Sequence, residues 1–69
     1  MSFFTWMMQF KGDNSDFGDL ADDMARSASV FPKDGNHEQI LDHLRGNRAC
    51  REAIATFEDA WKEFTSSSR

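Results

Sequence analysis

Between Asn47 and Phe64 the apolar residues Cys50, Ala53, Ile54, Phe57, Ala60, Trp61 and Phe64 recur every three or four positions. That period matches the 3.6-residue turn of an α-helix, so the stretch predicts an amphipathic helix with one continuous buried face. Asn47 is the expected N-cap, and the chain is expected to fray from Thr65 onward. A face carrying Phe57, Trp61 and Phe64 must be covered, and the residues before Asn47 have to supply the cover.

They contain three shorter segments suited to that task. Phe3, Met7 and Phe10, with Phe4 and Met8 beside them, predict a helix over Ser2 to Phe10 capped by Ser2. A polar break with Gly12, Asp13 and Asn14 follows. Phe17, Leu20, Ala21, Met24 and Ala25 predict a second helix starting near Ser15 or Asp16, its first turns acidic and Arg26 near its end, as the helix dipole favours. Pro32 then forbids helix through the connector 27–36, where Val30 and Phe31 are expected to anchor the chain. Asp34-Gly35 marks a turn, and Asn36 with Gln39 reads as a capping box opening a third helix that carries Ile40, Leu41 and Leu44 and ends near Gly46. The expected fold class is all-α: a compact orthogonal bundle of four or five short helices, one domain over residues 1–65 with a polar tail, 66–69.

Size and charge restrict what such a bundle can do. Sixty-nine residues give a stability of only about 3 to 10 kcal/mol, so each large core side chain matters. The one cysteine cannot form an internal disulfide, which suits a reducing compartment and makes the cytoplasm the expected location. The apolar opening, Met1 to Phe10, is too short to span a bilayer and reads as a core helix. A net charge of -4 disfavours broad nonspecific nucleic-acid binding, which depends on Lys and Arg neutralising phosphates. The charges are nevertheless segregated: Asp13, Asp16, Asp19, Asp22 and Asp23 in one stretch, Arg45, Arg48 and Arg51 in another.

Three landmarks resemble a known family: Ser2-Phe3-Phe4 opening the first helix, Phe31-Pro32-Lys33 in the connector, and Thr56-Phe57-Glu58-Asp59-Ala60-Trp61 in the last helix. In this order and spacing they resemble the YozE family of small bacterial and phage proteins, and the resemblance spans almost the whole chain. It implies a SAM-like (sterile alpha motif-like) helical fold and no assigned activity. Nucleic-acid binding has been suggested for that family, and the wider SAM-like class includes many protein-interaction domains. The chain departs from the family pattern at Ala28 and Ser29, where an acidic residue is common. It also has no Tyr, with His37 and His43 in the region where aromatic hydroxyls are usual.

No catalytic, metal or cofactor motif emerges. His37, Glu38, Asp42, His43 and Cys50 are the available metal ligands, but the two histidines are six residues apart and point to different helix faces. Asp13 to Asp19 has acids and a glycine as a calcium loop does, yet Phe17 takes a ligand position and Met24 stands where the bidentate Glu belongs. Cys50, on the apolar stripe, is expected to be buried and inert. Neither a metal nor a cofactor is expected, and the chain reads as a non-enzyme. Phe31 and Trp6 read as core and core edge rather than partner anchors.

Two charged surfaces remain. Arg45, Arg48 and Arg51, with Lys33 brought near by folding, form a candidate basic patch around the Gly46-Asn47 junction, suited to an anion. Asp16, Asp19, Asp22 and Asp23 form a candidate acidic face. The leading expectation is a noncatalytic module that binds a protein partner or self-associates through these faces; the alternative is nucleic-acid binding through the arginines.

Overall fold

The computed structural model describes residues 1–47 and 50–67. Ser2 opens the first helix, α1 (Phe3–Met7), in extended backbone with its hydroxyl accepting the Thr5 N–H at 3.2 Å. The expected helix to Phe10 instead tightens after Met7 into a 3₁₀ turn, Met8–Phe10, a common way for a helix end to close its last carbonyls. The tightening sets Phe10 edge-on to both Trp6 and Phe17, at 5.2 Å between ring centres in each pair.

Helix α2 (Asp16–Arg26) is capped by Ser15, whose hydroxyl accepts the Gly18 N–H at 3.1 Å. The loop before it is folded back tightly. Gly12 has φ +85°, a left-handed backbone open chiefly to glycine, and its N–H is held by the Asp22 carboxylate at 3.2 Å. Gly18 is buried for a different reason: a Cβ there would lie 2.0 Å from the Asp13 carbonyl oxygen. Asp16 and Asp19 therefore occupy the first turn of a regular helix rather than a chelating loop.

The connector is anchored by Phe31 alone, which is buried against Phe4 and His43. Val30, expected to anchor with it, is 68% exposed: a turn stabilised by Val30 and Phe31 N–H bonds to the Ser27 carbonyl carries its side chain outward. A tight turn from Pro32 to Gly35 leads to α3 (His37–Gly46). The capping box forms as expected, with the Asn36 side chain on the Gln39 N–H and the Gln39 side chain on the Asn36 N–H, both at 2.9 Å.

Asn47 does not cap the last helix. Its own N–H closes α3 onto the His43 and Leu44 carbonyls. Helix α4 (Arg51–Ser67) starts three residues later than an Asn47 cap would have it and continues three residues past Phe64. The Thr65 hydroxyl is satisfied locally by the Trp61 and Lys62 carbonyls, so this polar turn stays helical.

Helix α4 packs on α1, α2 and α3. Phe57 and Ala60 are fully buried, joined by Phe3, Met7, Leu20, Ala21, Met24, Ile40 and Leu44, while Ile54, Trp61 and Phe64 pack at the edge. Phe3 lies at the centre of the aromatic cluster, its ring 5.2 to 5.5 Å from those of Phe57, Trp61 and Phe64. Trp6 stacks at the core edge on Phe3 and meets Phe64 at a tilt. Four α-helices, with no strand among the described residues, make an all-α bundle. None of these helices is long and apolar enough to cross a membrane.

Candidate functional site

The stripe on α4 tapers. Its later turns carry Phe57, Trp61 and Phe64, but its first turn offers only the small Ala53, and the small Cys50 stands just before the helix. Small side chains there leave space unfilled where α2, the end of α3 and the start of α4 meet. A cleft of about 420 Å³ opens at that point, its floor made by Leu20, Met24, Phe31, Leu44 and Ala53, and its polar rim by Asp23, Ser27, His43 and Asn47. His43 is fixed on the rim by its Nε2 contact with the Asn47 amide at 2.9 Å and by the Phe31 ring below it.

A shallower groove of about 160 Å³ shares Leu20, Asp23, Cys50 and Ala53 with the cleft and runs on between α2 and α4. Asp16 and Asp19 border it from α2, Glu52 and Thr56 from α4. Among the described residues no lysine or arginine lines either part. Arg26 does pair with Asp23 at 3.1 Å, but both side chains are largely exposed, where such a pair contributes little.

The four aspartates of the candidate acidic face do not all share one surface. Asp16, Asp19 and Asp23 converge on the groove, whereas Asp22 is half-buried and turned to the Gly12 N–H. Glu52 joins from another helix, which no local pattern announces. Lys33 does not lie with the arginines of the candidate basic patch. Lys33 lies beside Met1, Ser2 and Phe64, its Nζ 5.2 Å from the centre of the Phe4 ring. Phe64 follows Arg51 by thirteen residues of one helix, about 20 Å along the axis, so Lys33 sits at the far end of α4 from Arg51. Arg45 and Arg51 are exposed at the end of α3 and the start of α4, and Arg48 lies outside the described residues.

Cys50 corrects another expectation. It precedes α4 instead of lying within it, its carbonyl accepting the Ile54 N–H at 3.1 Å, and it is exposed in the cleft rather than buried on the stripe. The two histidines serve different contacts. His37 Nε2 meets Glu58 Oε1 at 2.6 Å and packs on Phe57 and Trp61, whereas His43 faces the cleft. Among the described residues no three acid, histidine or cysteine side chains are placed to hold a metal ion.

No curated protein and no solved structure gives a significant match to the chain. The family model described as the YozE SAM-like fold matches residues 2–66, nearly the full length and including all three landmark motifs, and the chain belongs to that family.

Proposed function

We propose that this domain is a noncatalytic interaction module that docks a cationic protein segment on the groove between α2 and α4. The observation that carries the reading is the convergence of Asp16, Asp19, Asp23 and Glu52 from two helices on a groove lined by no basic residue among those described. Carboxylates gathered along an apolar strip steer a positively charged partner and reject a negatively charged one. The competing ligand class, nucleic acid, has Arg45 and Arg51 to work with, while Lys33 stands at the other end of α4.

Charge reversal separates the two. Immobilised wild-type protein, D16K/D19K and R45E/R51E are each challenged with cell extract and with single- and double-stranded oligonucleotides. The proposal expects a protein partner retained by wild type and R45E/R51E and lost by D16K/D19K. Salt-sensitive oligonucleotide binding that R45E/R51E abolishes, with no protein partner lost on acidic reversal, would replace it with the nucleic-acid reading.

A further inference from the structure

The acidic groove and the apolar cleft share one wall, since Leu20, Asp23, Cys50 and Ala53 belong to both. A ligand lying on the groove therefore passes directly over the cleft. The carboxylates along it are periodic: Asp16, Asp19 and Asp23 are three and four residues apart on α2, a spacing of about 5 Å per step along the helix. Lysines or arginines at the same intervals on a second helix lying alongside α2 would match them one for one. The cleft, at about 420 Å³, is within the range of pockets that enclose an organic group, roughly 300 to 1,000 Å³. Its lining is mainly apolar, with Leu20, Met24, Phe31 and Leu44 available to contact an apolar group.

We infer that the site binds an amphipathic basic helix, with one large apolar side chain of the partner entering the cleft and basic residues at i, i+3 and i+7 meeting Asp16, Asp19 and Asp23. This deepens the acidic-groove reading and rests on it. The charge complementarity selects a cationic chain, and the cleft adds a requirement that charge alone does not make. Ser27, His43 and Asn47 on the rim present polar atoms around the entering side chain. Helix-in-groove recognition uses this combination of spaced anchors and one inserted apolar group.

Cys50 supplies a built-in reporter, because it is exposed at the wall common to cleft and groove and is the only cysteine in the chain. The probes are four synthetic helical peptides of fifteen residues. The first carries lysines at i, i+3 and i+7 with a central Leu; the second replaces that Leu by Ala; the third keeps Leu but replaces the lysines by Gln; the fourth replaces them by Glu. Affinity is read by fluorescence anisotropy, and occupancy of the cleft by the rate at which iodoacetamide alkylates Cys50 in the intact chain. The first peptide should bind about tenfold or more tighter than the second, the ratio expected from burying two or more further carbons. It should slow alkylation severalfold, and the Gln and Glu peptides should bind progressively more weakly. Filling the cleft with Ala53→Leu should abolish the Leu-to-Ala ratio. Should that variant fail to fold by circular dichroism, the peptide ratio and Cys50 protection on the wild-type chain still decide.

Equal affinity for the Leu and Ala peptides, with both weakened by D16N/D19N and Cys50 unprotected, overturns the anchored-helix inference and leaves acidic docking standing. Failure of both lysine peptides to bind, or binding indifferent to D16N/D19N, overturns both. Equal binding of the lysine and Gln peptides overturns the inference in favour of an apolar ligand. Cys50 protection that rises with protein concentration alone overturns it in favour of a second copy of the chain.

Discussion

Gly18 is the position where local helix preference and packing disagree in sign, and the disagreement can be worked out from distances. In an exposed helix interior, Gly→Ala gains about 1 kcal/mol. At Gly18 the added Cβ would lie 2.0 Å from the Asp13 carbonyl oxygen, 2.7 Å from its carbonyl carbon and 2.9 Å from its Cβ. Ordinary contact begins near 3.4 Å, so the loop would have to retreat by more than an ångström. That loop cannot retreat freely: the Asp13 N–H is bonded to the Phe10 carbonyl at 2.9 Å and the Gly12 N–H to Asp22 at 3.2 Å. Overpacking of this kind costs about 1 to 3 kcal/mol, and breaking either loop bond adds about 1 kcal/mol, so the packing loss exceeds the propensity gain. Gly18→Ala is expected to lower stability by about 1 to 3 kcal/mol. Gly46→Ala is the control, because nothing lies within 4 Å of the corresponding Cβ and its backbone is not left-handed; it should stabilise by about 0.4 to 1 kcal/mol. Urea denaturation of both variants, followed by circular dichroism with unchanged slope, measures the pair. A Gly18→Ala protein as stable as wild type would refute the close approach of loop 11–15 to α2 and the reasoning built on it.

Three further expectations concern the last helix, the connector and the contact between α3 and α4. Phe57→Ala removes a fully buried ring in edge contact with Phe3 and should cost about 3 to 5 kcal/mol, enough to leave much of the population unfolded in thermal melts. Val30→Ala, at an exposed position of similar apolar character, should change stability by no more than about 0.5 kcal/mol. Truncating His37 and Glu58 singly and together gives a double-mutant cycle whose coupling energy should be about 0.5 to 1 kcal/mol, given that both side chains remain partly exposed. A coupling of zero by chemical denaturation would mean that the contact does not tie α3 to α4.

The sequence made the buried side of the fold readable because burial leaves a periodic trace. Phe57, Ala60, Leu20, Met24 and Ile40 are all core residues at helical spacing, and the Ser2, Ser15 and Asn36 caps are local hydrogen bonds between near neighbours. The errors fall where two interactions compete for one residue. Asn47 has the side chain of an N-cap, but its amide is turned back to His43 and its N–H closes α3; α4 starts only at Arg51, with Cys50 ahead of it in the cleft. The candidate site was half readable for the same reason. Asp16, Asp19 and Asp23 share one helix, so their alignment follows from sequence, whereas Glu52 reaches the groove only through the packing of α4 on α2. The place of Lys33 is not legible in sequence, because nothing local in Pro32–Gly35 says which end of α4 the connector crosses. The small residues Cys50 and Ala53, ahead of the aromatic Phe57, Trp61 and Phe64, are the sequence sign of a cleft at that end of α4.

The contacts of Phe3 with Phe57, Trp61 and Phe64 also set a schedule for the growing chain. The ring that opens α1 has its principal partners in α4, fifty-four or more positions later in the order of synthesis. At about 5 to 20 residues per second, Phe3 waits roughly 3 to 11 s for Phe57 to be added, and longer for it to leave the ribosome. Until then α1, α2, α3 and the connector can meet one another, through Phe10 on Phe17 and Phe31 on Phe4 and His43, but they lack the α4 face that completes the core. Completion of the core is therefore tied to the release of the last helix, and a ribosome paused before Phe57 would hold a chain whose Phe3 ring still lacks its α4 partners.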